Sequence, residues 1–328
     1  MKTFATLLLA SAAMIASSNA MASPNVVVSI KPIHSLVAAI MQGVGEPQLI
    51  VDGGASPHTY NLKPSNAKAI EGADVVFWVG DGLEKFLEKP LETLGSKATV
   101  VELDGAPGLE KLKFREGGPF EAHDHGEHEG HDHGGEEQAH KREHSHDHAH
   151  EGHDHDEGEY DMHLWLDPQN AKAMATEIEK TLLAADPANA QSYQDNTKKL
   201  MERLDALDKE IAETVAPIKD KPFVVFHDAY QYFEHRYAVK TAGSITVSPE
   251  NMPGADRVKQ IHTKVEELNA TCVFAEPQFE PKLVNVVIQG TQAKSGTLDP
   301  EAGTLEAGPE LYFKLMRGIA QSLKNCLS

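Results

Sequence analysis

The strongest constraint on the fold is a run of about 30 residues with one narrow apolar stripe, set between two stretches of alternating strand-like and helix-like patterns. Tyr193, Thr197, Leu200, Leu204, Leu207, Ile211 and Val215 succeed one another at steps of 4, 3, 4, 3, 4 and 4. That spacing keeps side chains on one side of an α-helix. Asp186-Pro187 offers an N-cap followed by proline at the first helical position, and Pro217 ends the run. Such a helix is about 45 Å long at 1.5 Å per residue. A single stripe on so long a rod fits a helix laid along a body. A dimerising coiled coil of about three to four heptads is the competing reading.

The flanks point to parallel sheets. Before the long helix, residues 26–30, 48–51, 74–80 and 98–103 read as strands, with helices over 32–41, 64–71 and 84–94. A further helix starts at Asp167-Pro168 and runs to about 184. After the long helix, strands are expected over 223–227, 240–245, 272–276 and 297–298. Helices are expected over 229–237, 253–270, 281–292 and 309–326. Short apolar runs alternating with helices make βα units. The expected fold is α/β: an N-terminal lobe over 23–185, a linking helix over 186–217 and a C-terminal lobe over 218–328. In open parallel sheets ligands sit beyond the carboxyl ends of the strands, here the cleft between the lobes.

The length, 328 residues, suits about two domains. Fifty acidic against 30 basic residues give a net charge of −20, which excludes nucleic acid as a partner and argues against an anionic membrane surface. Residues 1–22 read as a secretory signal: Lys2, an apolar run from Phe4 to Ile15 too short to span a bilayer, then small residues around Ala20 and Ala22. No Cys lies near the cleavage point and no later run is long enough to span a bilayer, so the mature chain is expected to be exported without stable membrane insertion. In an oxidising compartment the two cysteines, Cys272 and Cys326, are expected to form a disulfide closing a loop of about 54 residues, worth ~4 kcal/mol. Two buried free thiols are the alternative.

Residues 121–161 hold 15 acidic residues, only Lys141 and Arg142 as bases, and 12 of the 18 histidines. These are His123, His125, His128, His131, His133, His140, His144, His146, His148, His150, His153 and His155. With almost no apolar residue among them, residues 119–160 are expected to form a disordered loop. Chemically this is a string of imidazoles and carboxylates, suited to weak binding of several metal ions; a solvated spacer is the plainer reading.

Six histidines remain. His58 lies in a loop, ASPHTY, His163 in DMHLWLDP before a helix start, and His227 at the end of the strand FVVFH. All three fall where ligands converge in an α/β cleft. Their spacings of 105 and 64 residues form no local metal signature, and each alone is more readily a structural residue. His34, at the first helix start, fits a structural or supporting role. Glu276 and Asp228 could orient ligands or cap helices. His235 and His262 read as surface residues, and Phe77, Trp78, Trp165 and Tyr230 as core or cleft lining.

GGASPHTYNLKPS, DMHLWLDP, FHDAYQYFEHRY, FAEPQFEP and the TLDP turn together resemble the periplasmic binding proteins that serve zinc and manganese ABC transporters. The match covers nearly the whole mature chain. A His-rich acidic insert between the first two of these histidines, with a C-terminal cysteine pair, is similar to the zinc-specific branch. The resemblance implies two α/β lobes bridged by a rigid long helix, with the metal between them. It places the ligands at His58, His163 and His227, with Asp299 of the TLDP turn, or a water, in fourth position. Manganese-preferring members carry a carboxylate where His227 stands. Some zinc members have a Glu just before the first histidine; Pro57 stands there in this chain, so no ligand comes from that position.

The chemistry agrees. Zn²⁺ takes imidazole nitrogen in tetrahedral geometry, whereas Mn²⁺ favours oxygen-rich sites. Each imidazole must lose its proton to bind, so affinity is expected to fall below pH ~6.5. The leading expectation is a monomeric periplasmic receptor that captures Zn²⁺ and hands it to an inner-membrane ABC permease, and not an enzyme. A zinc hydrolase is the rival, since three histidines and a water also describe catalytic zinc, but no H-E-x-x-H motif is present. A zinc buffer acting through the His-rich loop is the third reading.

Overall fold

The structure, a computed structural model, describes residues 23–115, 120, 160–246, 253–279 and 282–328. The expected signal segment and all twelve clustered histidines lie outside the described residues.

β1 (Val26–Val28), β2 (Gln48–Leu49), β3 (Val75–Trp78) and β4 (Thr99–Glu102) form one sheet in the order β2-β1-β3-β4, every pairing parallel. Its crossovers carry α1 (Lys31–Ile40), α2 (Pro64–Glu71), and α3 (Asp81–Glu84) with α4 (Glu88–Leu94). β1 and β3 are buried throughout, as unbroken apolar strands are when helices cover both faces of a parallel sheet. The single helix expected over 84–94 is broken in two. Glu84 folds its carboxylate back to accept the amides of Val79 (2.7 Å) and Gly80 (3.1 Å) at the start of α3, and Pro90, which has no N–H to give residue 86, falls in the first turn of α4.

α5 (Pro168–Ala185) starts where its sequence signal says, with the Asp167 carboxylate accepting from Gln169 N–H at 2.8 Å. α6 (Ala190–Val215) follows a single 3₁₀ turn over Pro187–Asn189, so it has 26 residues and is about 39 Å long. Its buried residues are the seven of the stripe. They face α5, α1 and α10 (Leu311–Leu327).

The second sheet comprises β5 (Phe223–His227), β6 (Thr241–Thr246), β7 (Cys272–Ala275) and β8 (Lys294–Thr297), again all parallel, in the order β6-β5-β7-β8. Its crossovers carry α7 (Gln231–Tyr237), α8 (Ala255–Glu267) and α9 (Lys282–Ile288). Both sheets thus repeat one order, second-first-third-fourth. In each the chain leaves the first strand to one side and returns to the other, making β1 and β5 the switch strands beyond which ligands bind.

The two halves share their interior. One apolar core runs from β1 and β3 through α1, α5, α6 and α10 to β5 and β7. α10, the last helix of the second half, lies against α1 of the first: Tyr312 N–H donates to Ser35 Oγ at 3.0 Å, and Tyr312 O–H to the Trp165 carbonyl at 2.7 Å. Arg203–Glu310 (2.6 Å) and Arg317–Glu210 (2.7 Å) clamp α6 to α10 outside. A smaller core lies beneath α8 and α9. A disulfide joins Cys272 of β7 to Cys326 of α10, 54 residues apart. Among the described residues no helix is long and apolar enough to cross a membrane.

Candidate metal centre

Three loops bring imidazoles to one point. Pro57 fixes the 3₁₀ turn Pro57–Thr59 that carries His58 after β2. His163 precedes the 3₁₀ turn Leu164–Leu166, which leads into α5. His227 is the last residue of β5, the switch strand. One ring nitrogen from each lies within 4.8 Å of the other two. The ring centroids are 5.5 Å (His58–His163), 5.7 Å (His58–His227) and 5.2 Å (His163–His227) apart, and the Nε2 atoms of His163 and His227 are 3.4 Å apart.

Buried carboxylates aim two of these rings. Glu276, just beyond β7, accepts from His227 Nδ1–H at 2.6 Å; Asp161 accepts from His163 Nδ1–H at 2.7 Å and from His163 N–H at 3.0 Å. Glu276 is 3% exposed and Asp161 1%. A carboxylate accepts only, so each Nδ1 carries the proton and each Nε2 turns its lone pair toward the centre. This is the hydrogen-bonding arrangement that fixes tautomer and orientation in metal-ligating histidines.

The electrostatics split the rings. Burial and repulsion from the other two imidazoles hold His58 well below the usual histidine range, so it stays neutral. Burial also opposes a charge on His227, but Glu276, with Asp228 and Asp161 behind it, outweighs that penalty and raises the ring above its ordinary value. Neighbouring carboxyls are held toward their neutral form. Burial pushes Glu84 up to about 7, and burial followed by Asp299, Glu84 and Glu276 pushes Glu301 well above the carboxylate range.

Asp299 sits differently from the histidines. Its carboxylate accepts from Gln278 Nε2 (2.8 Å) and the amides of Glu301 (3.2 Å) and Thr304 (3.5 Å), and it does not belong to the converging group. Two buried donors hold its turn: Trp165 Nε1 to the Pro300 carbonyl (2.9 Å), and Lys31 Nζ to the carbonyls of Gly303 (3.0 Å) and Leu305 (2.8 Å). His34 is buried on α1 and bonded to the Pro47 carbonyl at 2.9 Å, away from the centre. Asp228 pairs with Arg115, His235 stands beside Glu110, and His262 meets the Gln289 carbonyl. Phe77, Trp78, Trp165 and Tyr230 are core residues. Asp161 is the residue that sequence reasoning missed; the D-x-H spacing ahead of the DMHLWLDP histidine was its only signal.

Two parallel α/β halves fused along a helical spine, with an imidazole cluster beyond the carboxyl end of a switch strand, define a two-lobed solute-binding protein with a candidate divalent-cation site. The family model described as "Zinc-uptake complex component A periplasmic" matches residues 26–326. The chain belongs to this family, the ZnuA family. It is 57% identical over 342 residues to the high-affinity zinc uptake system protein ZnuA of Brucella suis, covering all of both chains. It is 37% identical to the protein so named from Yersinia pestis, covering 98% of this chain and 96% of that one. Its fold matches the periplasmic zinc binding protein TroA from Treponema pallidum (TM-score 0.75, 18% identity, 93% of this chain and 99% of that one). It also matches a crystal structure of ZnuA (TM-score 0.73, 24% identity, 93% and 100%).

Proposed function

We infer that this chain is the periplasmic zinc receptor of an ABC uptake system. It captures Zn²⁺ as cargo on His58, His163 and His227 and delivers it, as a monomer, to an inner-membrane permease. The observation that carries this reading is the convergence of three imidazole nitrogens within 4.8 Å, two of them backed by buried carboxylates. Three nitrogen donors suit Zn²⁺ better than Mn²⁺. Asp161 and Glu276 offset the cargo's charge without binding it, and the fourth position falls to water or to Asp299. Glu276, the base a hydrolase reading would propose, is already committed to His227 Nδ1, which favours transport over catalysis.

Metal stoichiometry and chelator competition test this. Wild type is expected to hold one Zn²⁺ tightly, and His58→Ala, His163→Ala and His227→Ala each to weaken it by orders of magnitude. Three variants that all hold zinc like wild type would refute the ligand set. Asp299→Asn separates the two candidates for the fourth position, because only a bound carboxylate makes it as costly as losing a histidine.

A further inference from the structure

The halves before and after α6 are tied at a second place, beside the imidazoles. The main chain on either side of residues 121–159 forms a short antiparallel pair: Lys113 bridges Tyr160, and Asp161 N–H donates to the Leu112 carbonyl at 2.9 Å. This stem rests on α7, which begins four residues after His227. Tyr232 O–H donates to the Asp161 carbonyl at 2.6 Å and accepts from Leu112 N–H at 3.0 Å. Arg115 reaches further along the same surface. Its guanidinium spans Asp228 and Glu234, with Nε to Asp228 at 3.1 Å and Nη1 and Nη2 to Glu234 at 2.8 and 3.0 Å. Asp228 directly follows His227, and both carboxylates are buried.

These ties form a short mechanical path between two imidazoles that lie 64 residues apart. His163 is held through its Nδ1 by Asp161, whose carbonyl is held by Tyr232; α7 then leads back through Asp228 to His227. Tyr160–His163 belongs to no helix or sheet, and its main chain is anchored by Leu112 and Tyr232. We propose that Tyr232 and Arg115 are positioning residues that hold His163 Nε2 and His227 Nε2 at the separation one ion needs, and so set how long a captured divalent cation stays bound. Neither residue touches the ion. The proposal rests on the three-histidine reading above.

The test uses the full mature protein and two ions, zinc for kinetics and cobalt as a spectroscopic probe. Zinc release into excess chromophoric chelator is followed by stopped flow. Tyr232→Phe removes one hydroxyl and its two hydrogen bonds and is expected to release zinc about tenfold faster. Its cobalt visible bands should shift and weaken as the tetrahedral field relaxes. Asn196→Ala, which loses two bonds to the Ile40 and Gln42 carbonyls far from the centre, is the stability control; its release rate and cobalt spectrum should match wild type. Arg115→Met strands two buried carboxylates and is expected to lose thermal stability and release zinc faster. Adding Asp228→Asn and Glu234→Gln to it should recover the melting temperature but leave release fast. Wild-type release and an unchanged cobalt spectrum in Tyr232→Phe, or recovery of slow release in the triple variant, would overturn the positioning role alone. A wild type that captures no zinc in the same assay would overturn the receptor reading beneath it.

Discussion

Replacing Glu276 by glutamine removes one negative charge from the centre while keeping an oxygen of the same reach 2.6 Å from His227 Nδ1. The ring should keep its orientation and lose its charged partner. A hydrogen bond to a charged group contributes about 1.5–3 kcal/mol and a neutral one about 0.5–1.5. The exchange therefore costs about 1–1.5 kcal/mol, roughly a tenfold loss of zinc affinity at pH 8. That lies at the lower end of the 10–100-fold range for orienting partners of metal ligands.

The same substitution has an opposite effect in acid. In wild type His227 is raised above its ordinary value by Glu276, so protons compete with zinc at this ring from above pH ~6.5 downward. Without the carboxylate that competition moves to lower pH, and the tenfold deficit should shrink by pH 5.5. The metal-free protein supplies the check on sign. A raised folded-state pKa contributes stability fully below the unfolded value near 6.5 and loses it as pH rises through the folded value. Glu276→Gln should therefore lower the apo melting temperature more at pH 5.5 than at pH 8. Chelator competition and thermal melts at both pH values measure this. A deficit that grows on acidification, or no deficit at pH 8, would refute the account of Glu276.

Reducing or removing the Cys272–Cys326 bridge opens a 54-residue loop, worth about 4 kcal/mol of unfolding free energy. Cys272→Ser/Cys326→Ser should show this in denaturant titration while still binding one zinc. Deleting residues 121–159 should leave one tight zinc per chain by calorimetry and remove only weaker sites; loss of all binding would instead identify a buffer. Asp161→Asn should weaken zinc by about tenfold or more, as Glu276→Gln does, in the same competition assay.

The elements legible in the sequence are those whose period is set locally. The α6 stripe is legible residue by residue, because six apolar side chains and Thr197 at helical spacing can face only one way. The unbroken runs VVV and FVVFH announced buried parallel strands. What escaped was decided by tertiary partners. The break in the expected helix over 84–94 is the exception: Pro90 has no N–H to give the residue 86 carbonyl, so the helix restarts with the proline in the first turn of α4. The three imidazoles could be nominated from their places at loop and strand ends, and the family resemblance singled them out. Their convergence depends on strand order, which no spacing encodes. Asp161 is, by sequence, one more acid at the edge of an acidic run, and only its contact with His163 distinguishes it.

The shared spine also limits how cargo can leave. Swinging the halves apart as rigid bodies would strip α10 from α1 and expose side chains such as Tyr312, Leu36 and Leu204, all fully buried. Each large apolar side chain so exposed costs about 1.5–3 kcal/mol, and several would be uncovered together. Thermal energy does not open such a joint. On the three-histidine reading, cargo exit is expected to be local, through the turn that carries His58, the least buried of the three rings, with the frame left intact.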